Sequence, residues 1–281
     1  MRAIFIVGCP RSGTTLLQSL LACIPDTTTF KESHLFSRSL RHTGPITITR
    51  RDVDKEIDRF WLENALPEAN RPAAQPMSTK IWPHRTADAA FEALVAAARS
   101  RGSGIFIEKT PRHLHFVRQI GEAGVRAGVD TRFIHLVRDG IAVSASLENA
   151  SKNWHRSHDP YAALRRWQDD IRRSVAWLGL PGHVFVNYED LSTEPEAESV
   201  RLAQELGVSL SKNDLEKRSE RLLNIVRPDE TWKLVDDGSQ VAPSKRSYEH
   251  LSSETLAQLE AQIDRADFMK LNTFIKGNNI K

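Results

Sequence analysis

The sequence predicts a single α/β domain, a central parallel sheet flanked by helices. Short runs rich in β-branched and aromatic residues recur at 3–7, 104–107, 131–137 and 183–187, with helical patterns between them. That alternation builds parallel sheets covered by helices. The 281 residues, 40% of them apolar, suffice for one sizeable core. The first run also passes through a glycine-bounded loop straight into a helical pattern, a strand-to-helix crossover start.

Taken in order, the run 3–7 is the first strand, and the helix after it starts at about Thr14. A second helix is expected over about 86–99, where Ala and Leu dominate. The clearest helix runs from Asp159 to Leu178. Asp159 can cap it, Pro160 suits the first turn, and Leu164, Trp167, Ile171, Val175 and Leu178 recur at three- and four-residue steps that place them on one buried stripe. Thr193-Glu194-Pro195-Glu196 reads as a capping box for a helix stopped by Gly207. A last helix is expected over about 253–266.

Two stretches lack periodicity. One is 66–80, with Pro67, Pro72 and Pro76, and the other is 226–250, with Pro228, Gly238 and Pro243. Long irregular segments of compact folds are often lids or binding loops. The chain is therefore read as one domain, 1–281, with an insertion at about 37–80 and a candidate lid at about 226–250.

Charge is balanced, with 39 basic and 36 acidic residues giving +3 and no long basic tract. This argues against a nucleic-acid-tracking surface and for a local anionic ligand. The cysteines are Cys9 and Cys23. A disulfide at Cys9 would distort a tight loop, so a reducing compartment is expected. The run 3–7 is too short for a signal core and nothing approaches the roughly 20 apolar residues of a membrane span. The expectation is a cytoplasmic protein without membrane contact.

Gly8-Cys9-Pro10-Arg11-Ser12-Gly13-Thr14-Thr15 carries the strongest signal. Strand, glycine loop and helix N-terminus converge backbone N–H groups and the positive end of a helix dipole on one point, an oxyanion site. The Gly8 to Gly13 spacing is that of a nucleotide phosphate loop, but Thr14 stands where an ATP- or GTP-binding loop carries lysine. The positive charge comes instead from Arg11, whose planar guanidinium can grip two oxygens of a phosphosulfate. The alternative ligand readings are a small P-loop kinase and a non-catalytic nucleotide-binding module.

The run Pro-Arg-Ser-Gly-Thr-Thr-Leu-Leu at positions 10–17 resembles the 5′-phosphosulfate loop of sulfotransferases that use 3′-phosphoadenosine 5′-phosphosulfate (PAPS). The branch it is most similar to includes tyrosylprotein sulfotransferases and many bacterial enzymes. The resemblance implies that Pro10, Arg11, Ser12, Gly13, Thr14 and Thr15 bind the donor, with adenosine 3′,5′-bisphosphate (PAP) as product. Further on, Arg138 ends a buried strand and Ser146 lies eight positions later on a helix. This spacing looks like the family's 3′-phosphate clamp, whereas the residues alone leave open an Arg138–Asp139 pair that merely stabilises a turn.

Sulfuryl transfer needs a base for the acceptor and cations for the leaving oxygen. No metal is expected, because a sulfuryl group carries less negative charge than a γ-phosphoryl. Glu32, 21 positions after Arg11, agrees with the glutamate base of the tyrosylprotein branch; His34 and His113 are the competing bases. Lys109, after the run 104–107, resembles the family lysine that contacts the bridging oxygen or the sulfuryl group of the donor. Tyr188, in Asn187-Tyr188-Glu189-Asp190, resembles a residue near the nucleotide, although such a turn can simply start a helix. Lys245, or Arg246 beside it, resembles the basic residues that close over the 3′-phosphate. Trp154, Trp167 and Trp177 are expected in the core or an acceptor wall. Together the segments imply a sulfotransferase acting on a hydroxyl, in preference to an amine, of a small molecule or saccharide.

Overall fold

The structure, a computed structural model, describes residues 1–40, 50–73, 83–151, 159–225, 248 and 250–278. Five strands form one sheet: β1 (Arg2–Gly8), β2 (Thr27–Thr29), β3 (Ile105–Lys109), β4 (Asp130–Val137) and β5 (His183–Asn187). Every pairing is parallel and the order is β2-β3-β1-β4-β5. Strand β2 is the strand the sequence reading missed, and the helices at Arg50–Glu63, Val117–Arg126, Arg218–Ile225 and Ala266–Asn278 were not anticipated either. Three threonines on a sheet edge are too few to show a periodicity, and their extended form is fixed by pairing with Ile105, Phe106 and Ile107.

Thirteen α-helices are described. Before β3 stand α1 (Thr14–Leu21), α2 (Leu35–Ser39), α3 (Arg50–Glu63) and α4 (Pro83–Ser100); then come α5 (Val117–Arg126), α6 (Gly140–Ser151) and α7 (Pro160–Val175). After β5 come α8 (Tyr188–Thr193), α9 (Pro195–Glu205), α10 (Lys212–Leu215), α11 (Arg218–Ile225), α12 (Ser253–Gln262) and α13 (Ala266–Asn278). The predicted helices at 14, 86–99 and 159–178 are present as α1, α4 and α7, and Asp159 caps α7 by accepting from the Tyr161 N–H.

Two expectations are corrected. The capping box at Thr193 is absent. Asn187 starts the earlier helix α8 by accepting from the Glu189 N–H at 2.8 Å, and the Thr193 hydroxyl is spent on the Glu189 carbonyl. The expected last helix also stops early, at Gln262, because Ile263 is extended and Asp264 opens α13 by accepting from the Ala266 N–H.

The period of two along β1 divides the core. Ala3, Phe5 and Val7 face one layer, where Phe5 lies 5.6–6.1 Å from the rings of Phe36, Phe91, Phe106 and Phe133. Ile4 and Ile6 face the opposite layer with Leu17, Leu20 and Leu21 of α1. A third cluster joins Val137 and Ile141 to Leu164, Trp167 and Ile171 of α7 and to Leu271 of α13. Trp167, expected in core or wall, is fully buried.

A histidine pair lies on β4 and β5, His135 fully buried and His183 half-buried. His135 Nε2 is 3.0 Å from His183 Nδ1, and the rings stack on Phe185, Phe133 and Trp177. Burial pushes both imidazoles down, His135 well below its ordinary value and His183 from 6.5 to about 4. The unfolded chain thus binds more protons between pH 6.5 and about 4, so stability is fully present above that window and falls as pH drops through it. Chemical denaturation at stepped pH should show this loss, and the double variant His135→Phe/His183→Phe, which keeps the stacking, should flatten it.

Candidate active site

The register of a parallel sheet brings the ends of its strands to one edge. Gly8 pairs with Leu136 and Ile6 with Lys109, so the loop after β1, the end of β3 and Arg138 after β4 share the carboxyl edge where open parallel sheets bind ligands.

The loop after β1 requires its glycines. Gly8 has φ +151, and a Cβ there would sit 2.4 Å from the Leu136 carbonyl oxygen; Gly13 has φ +93, and its Cβ would meet the Tyr188 ring at 2.3 Å. Arg11 holds a left-handed φ of 72 without being glycine, a strained conformation of the kind that persists at functional sites. Gly13 gives α1 no side-chain cap, so its first N–H groups are available to an anion. Ser12 is fully buried, and its hydroxyl has no hydrogen-bond partner among the described residues. A buried donor beside an uncapped helix N-terminus is suited to an oxyanion.

Gly13→Ala should cost about 1–3 kcal/mol, the price of forcing a side chain into this conformation. Urea unfolding checks this, and an unchanged midpoint would contradict the contact with Tyr188.

Arg11 and Arg138 interlock. Arg11 Nε donates to Ser146 Oγ at 3.2 Å, and Arg138 Nη1 donates to the Arg11 carbonyl at 2.8 Å. The Arg138 guanidinium lies 4.2 Å from the Tyr188 ring centroid, a cation–π contact. The Arg138 carbonyl accepts from Trp167 Nε1 at 2.9 Å, which ties the strand end to α7. Asp139 caps α6 by accepting from the Ile141 and Ala142 N–H groups and also takes the Tyr248 hydroxyl. Burial, reinforced by the Asp139 carboxylate, pushes the Tyr248 phenol well up.

On the other side of the loop, Lys109 is almost completely buried, and its Nζ lies 3.3 Å from Thr15 Oγ1. It forms an ion pair with Glu32 Oε1, while Glu32 Oε2 is 3.4 Å from His34 Nε2. The structure thus brings together Arg11, Gly13, Thr15, Glu32, Lys109, Arg138, Ser146 and Tyr188, with Pro10, Ser12 and Thr14 in the same loop. Lys245, Arg246 and Trp154 lie outside the described residues. His113 is fully buried with Nδ1 2.8 Å from Glu108 Oε2.

Sequence reasoning passed over Glu108. It has no exposed surface, and it accepts from Ser33 Oγ at 2.8 Å and Thr110 Oγ1 at 2.6 Å besides pairing with His113. Burial works to raise its carboxyl, but the attraction and hydrogen bond of His113, then the hydroxyls of Thr110 and Ser33, outweigh it and hold the group below its ordinary value. The available signal was its place beside Lys109 in a strand otherwise apolar.

Fold and site define an α/β protein with a lysine-free phosphate loop, an arginine–serine pair on one flank and a lysine–glutamate pair on the other. The chain belongs to the sulfotransferase family, whose model matches residues 3–212. Among solved structures, the sulfotransferase domain of the Synechococcus PCC 7002 olefin synthase is 20% identical with TM-score 0.55, the match covering 93% of this chain and 94% of that one. The sulfotransferase domain of the curacin biosynthetic pathway is 17% identical with TM-score 0.54, covering 98% of each chain. A mouse sulfotransferase in complex with PAP is 10% identical with TM-score 0.52, covering 100% of this chain and 89% of that one. These likenesses establish the fold. No curated protein matches the chain in sequence.

Proposed function

We propose that this chain transfers a sulfuryl group from PAPS to a hydroxyl, in preference to an amine, of a small-molecule or saccharide acceptor. The observation that carries the reading is the interlock of Arg11, Ser146 and Arg138 beside an uncapped helix N-terminus, with the Lys109–Glu32 pair on the opposite flank. Two anion sites joined by one loop match a donor with a phosphosulfate at one end and a phosphate monoester at the other. The PAP bound by the mouse structure is the desulfonated form of such a donor, with a 5′-phosphate in place of the phosphosulfate and the same 3′-phosphate.

In this reading Pro10 shapes the loop, and the N–H groups of Arg11, Gly13, Thr14 and Thr15, with the Ser12 hydroxyl, hold the phosphosulfate. Arg138 and Ser146 hold the 3′-phosphate, with Tyr188 keeping the Arg138 guanidinium in place. Lys245 adds a further cation there. Glu32 takes the proton of the acceptor as its oxygen attacks sulfur; the sulfur–oxygen bond to the 5′-phosphate breaks, and Lys109 and Arg11 stabilise the charge on that oxygen. The small-molecule acceptor accords with the two biosynthetic domains of like fold.

The hydroxyl that holds magnesium in a triphosphate loop is here Thr15 Oγ1, and Lys109 Nζ lies beside it. A fixed cation at that point supports a donor handled by protein charges and disfavours the kinase reading. Transfer of radiolabelled sulfate from PAPS into a panel of phenols, alcohols and sugars, with PAP release as a parallel readout, tests the proposal. Release of PAP that depends on the acceptor supports it, and labelled phosphate transfer from ATP in its place would overturn it.

A further inference from the structure

We propose that Glu108 is a positioning residue that sets the alignment of Glu32 with Lys109. The inference rests on the reading of those two residues as base and cation. Glu108 precedes Lys109 on β3, and Ser33 follows Glu32 in the segment after β2. One buried carboxylate therefore grips the neighbours of both reacting groups.

The knot has four donors on one side chain. Oε1 accepts from the Ser33 hydroxyl at 2.8 Å, the Ser33 N–H at 3.3 Å and the Thr110 hydroxyl at 2.6 Å, and Oε2 faces His113 Nδ1 at 2.8 Å. Thr110 Oγ1 in turn accepts from the His34 N–H at 3.3 Å, and the Arg59 guanidinium holds the Ser33 carbonyl. His34 is kept at φ 54, a costly conformation for a residue with a Cβ, which persists only where its surroundings impose it. The segment 32–34 is thus held by bonds to Glu108, directly and through Thr110, and by Arg59. Its consequence is visible in the partners of Glu32, which faces Lys109 with one oxygen and His34 with the other.

A carboxylate with no exposed surface is costly unless it is hydrogen-bonded. Glu108 meets that condition by binding the site's backbone, and none of its bonds goes to solvent. His113, packed edge-on against Phe36 at 5.1 Å, anchors the far oxygen. The role assigned to this pair is geometric; neither residue touches donor or acceptor.

The test compares Ser33→Ala, Thr110→Val and Thr110→Ser, because Glu108→Gln risks misfolding. Lysine acetylation by acetic anhydride, quantified residue by residue, reports the exposure of Lys109 without any acceptor. Ser33→Ala and Thr110→Val should raise labelling of Lys109 relative to the other lysines by about fivefold, the factor that corresponds to one lost hydrogen bond. Thr110→Ser, which keeps the hydroxyl, should label as wild type does. For an acceptor found in the panel, kcat should fall by about 10- to 100-fold in the first two variants, the scale of a small misplacement of reacting groups, with the Kd for PAP unchanged. Unchanged Lys109 labelling, or a uniform rise in all lysines with a lower melting temperature, would overturn the proposal. Failure of the wild-type chain to bind PAP would instead remove the functional reading and leave the labelling result standing.

Discussion

Lys109→Met lowers kcat by about 10²- to 10³-fold, the scale of removing one preorganised donor from a developing oxyanion. The side chain is almost fully buried and ends between Thr15 and Glu32, which in the proposed function puts its charge at the phosphosulfate end of the donor. Methionine keeps the aliphatic stem and removes the ammonium. The carboxylate left behind stays partly exposed, with a side-chain exposure of 19% and His34 nearby, so it can rehydrate and the melting temperature should hold. Arginine should not rescue, because a planar fork needs more room and different partners than a compact ammonium. Rapid-quench kinetics with saturating PAPS separate the chemical step from binding; a kcat within threefold of wild type would remove Lys109 from the charge-stabilising role.

Glu32→Gln is expected to cost about 10²- to 10⁴-fold in kcat, the range of general-base catalysis. Glutamine preserves shape and can still accept from Lys109, but it cannot take a proton. PAP affinity should therefore survive, and the deficit should lie in kcat. His34 is the control. It stands 3.4 Å from Glu32 Oε2 and would be the base if the carboxylate only oriented it. In the present account His34→Gln loses less than about tenfold, the cost of weakening one orienting hydrogen bond. The reverse ranking of the two variants, measured as initial rates of PAP release, would reassign the base.

The fold was largely legible because its information is local. The alternation of Ala3, Phe5 and Val7 with Ile4 and Ile6 marks a strand buried on both faces, and the 160–175 stripe marks a helix with one buried face. Glycine positions were legible for the same reason, since Gly8 and Gly13 are required by backbone conformation and close approach. Strand β2 was not, because Thr27–Thr29 are extended only through pairing with β3. The division between α12 and α13 was hidden too. Leu256, Leu259 and Ile263 keep a helical step across the break, whereas the stop comes from the extended Ile263 and the Asp264 cap.

Within the site, spacing placed Arg138 after β4 and Ser146 on the helix that follows, but it did not show that Ser146 accepts from Arg11. It was silent on long-range partners. Nothing in the sequence links Glu108 to Ser33, 75 positions apart, or joins Trp167 to the Arg138 carbonyl. Those bonds exist because β3 runs beside β2 and α7 packs against β4, and topology of that kind is a property of the whole chain.

Isothermal titration calorimetry of the wild-type chain with PAP and, separately, with magnesium and ATP tests the central claim most directly. The account predicts saturable binding of PAP at one site per chain and little or no binding of magnesium-ATP. Tight association with magnesium-ATP and none with PAP would contradict it.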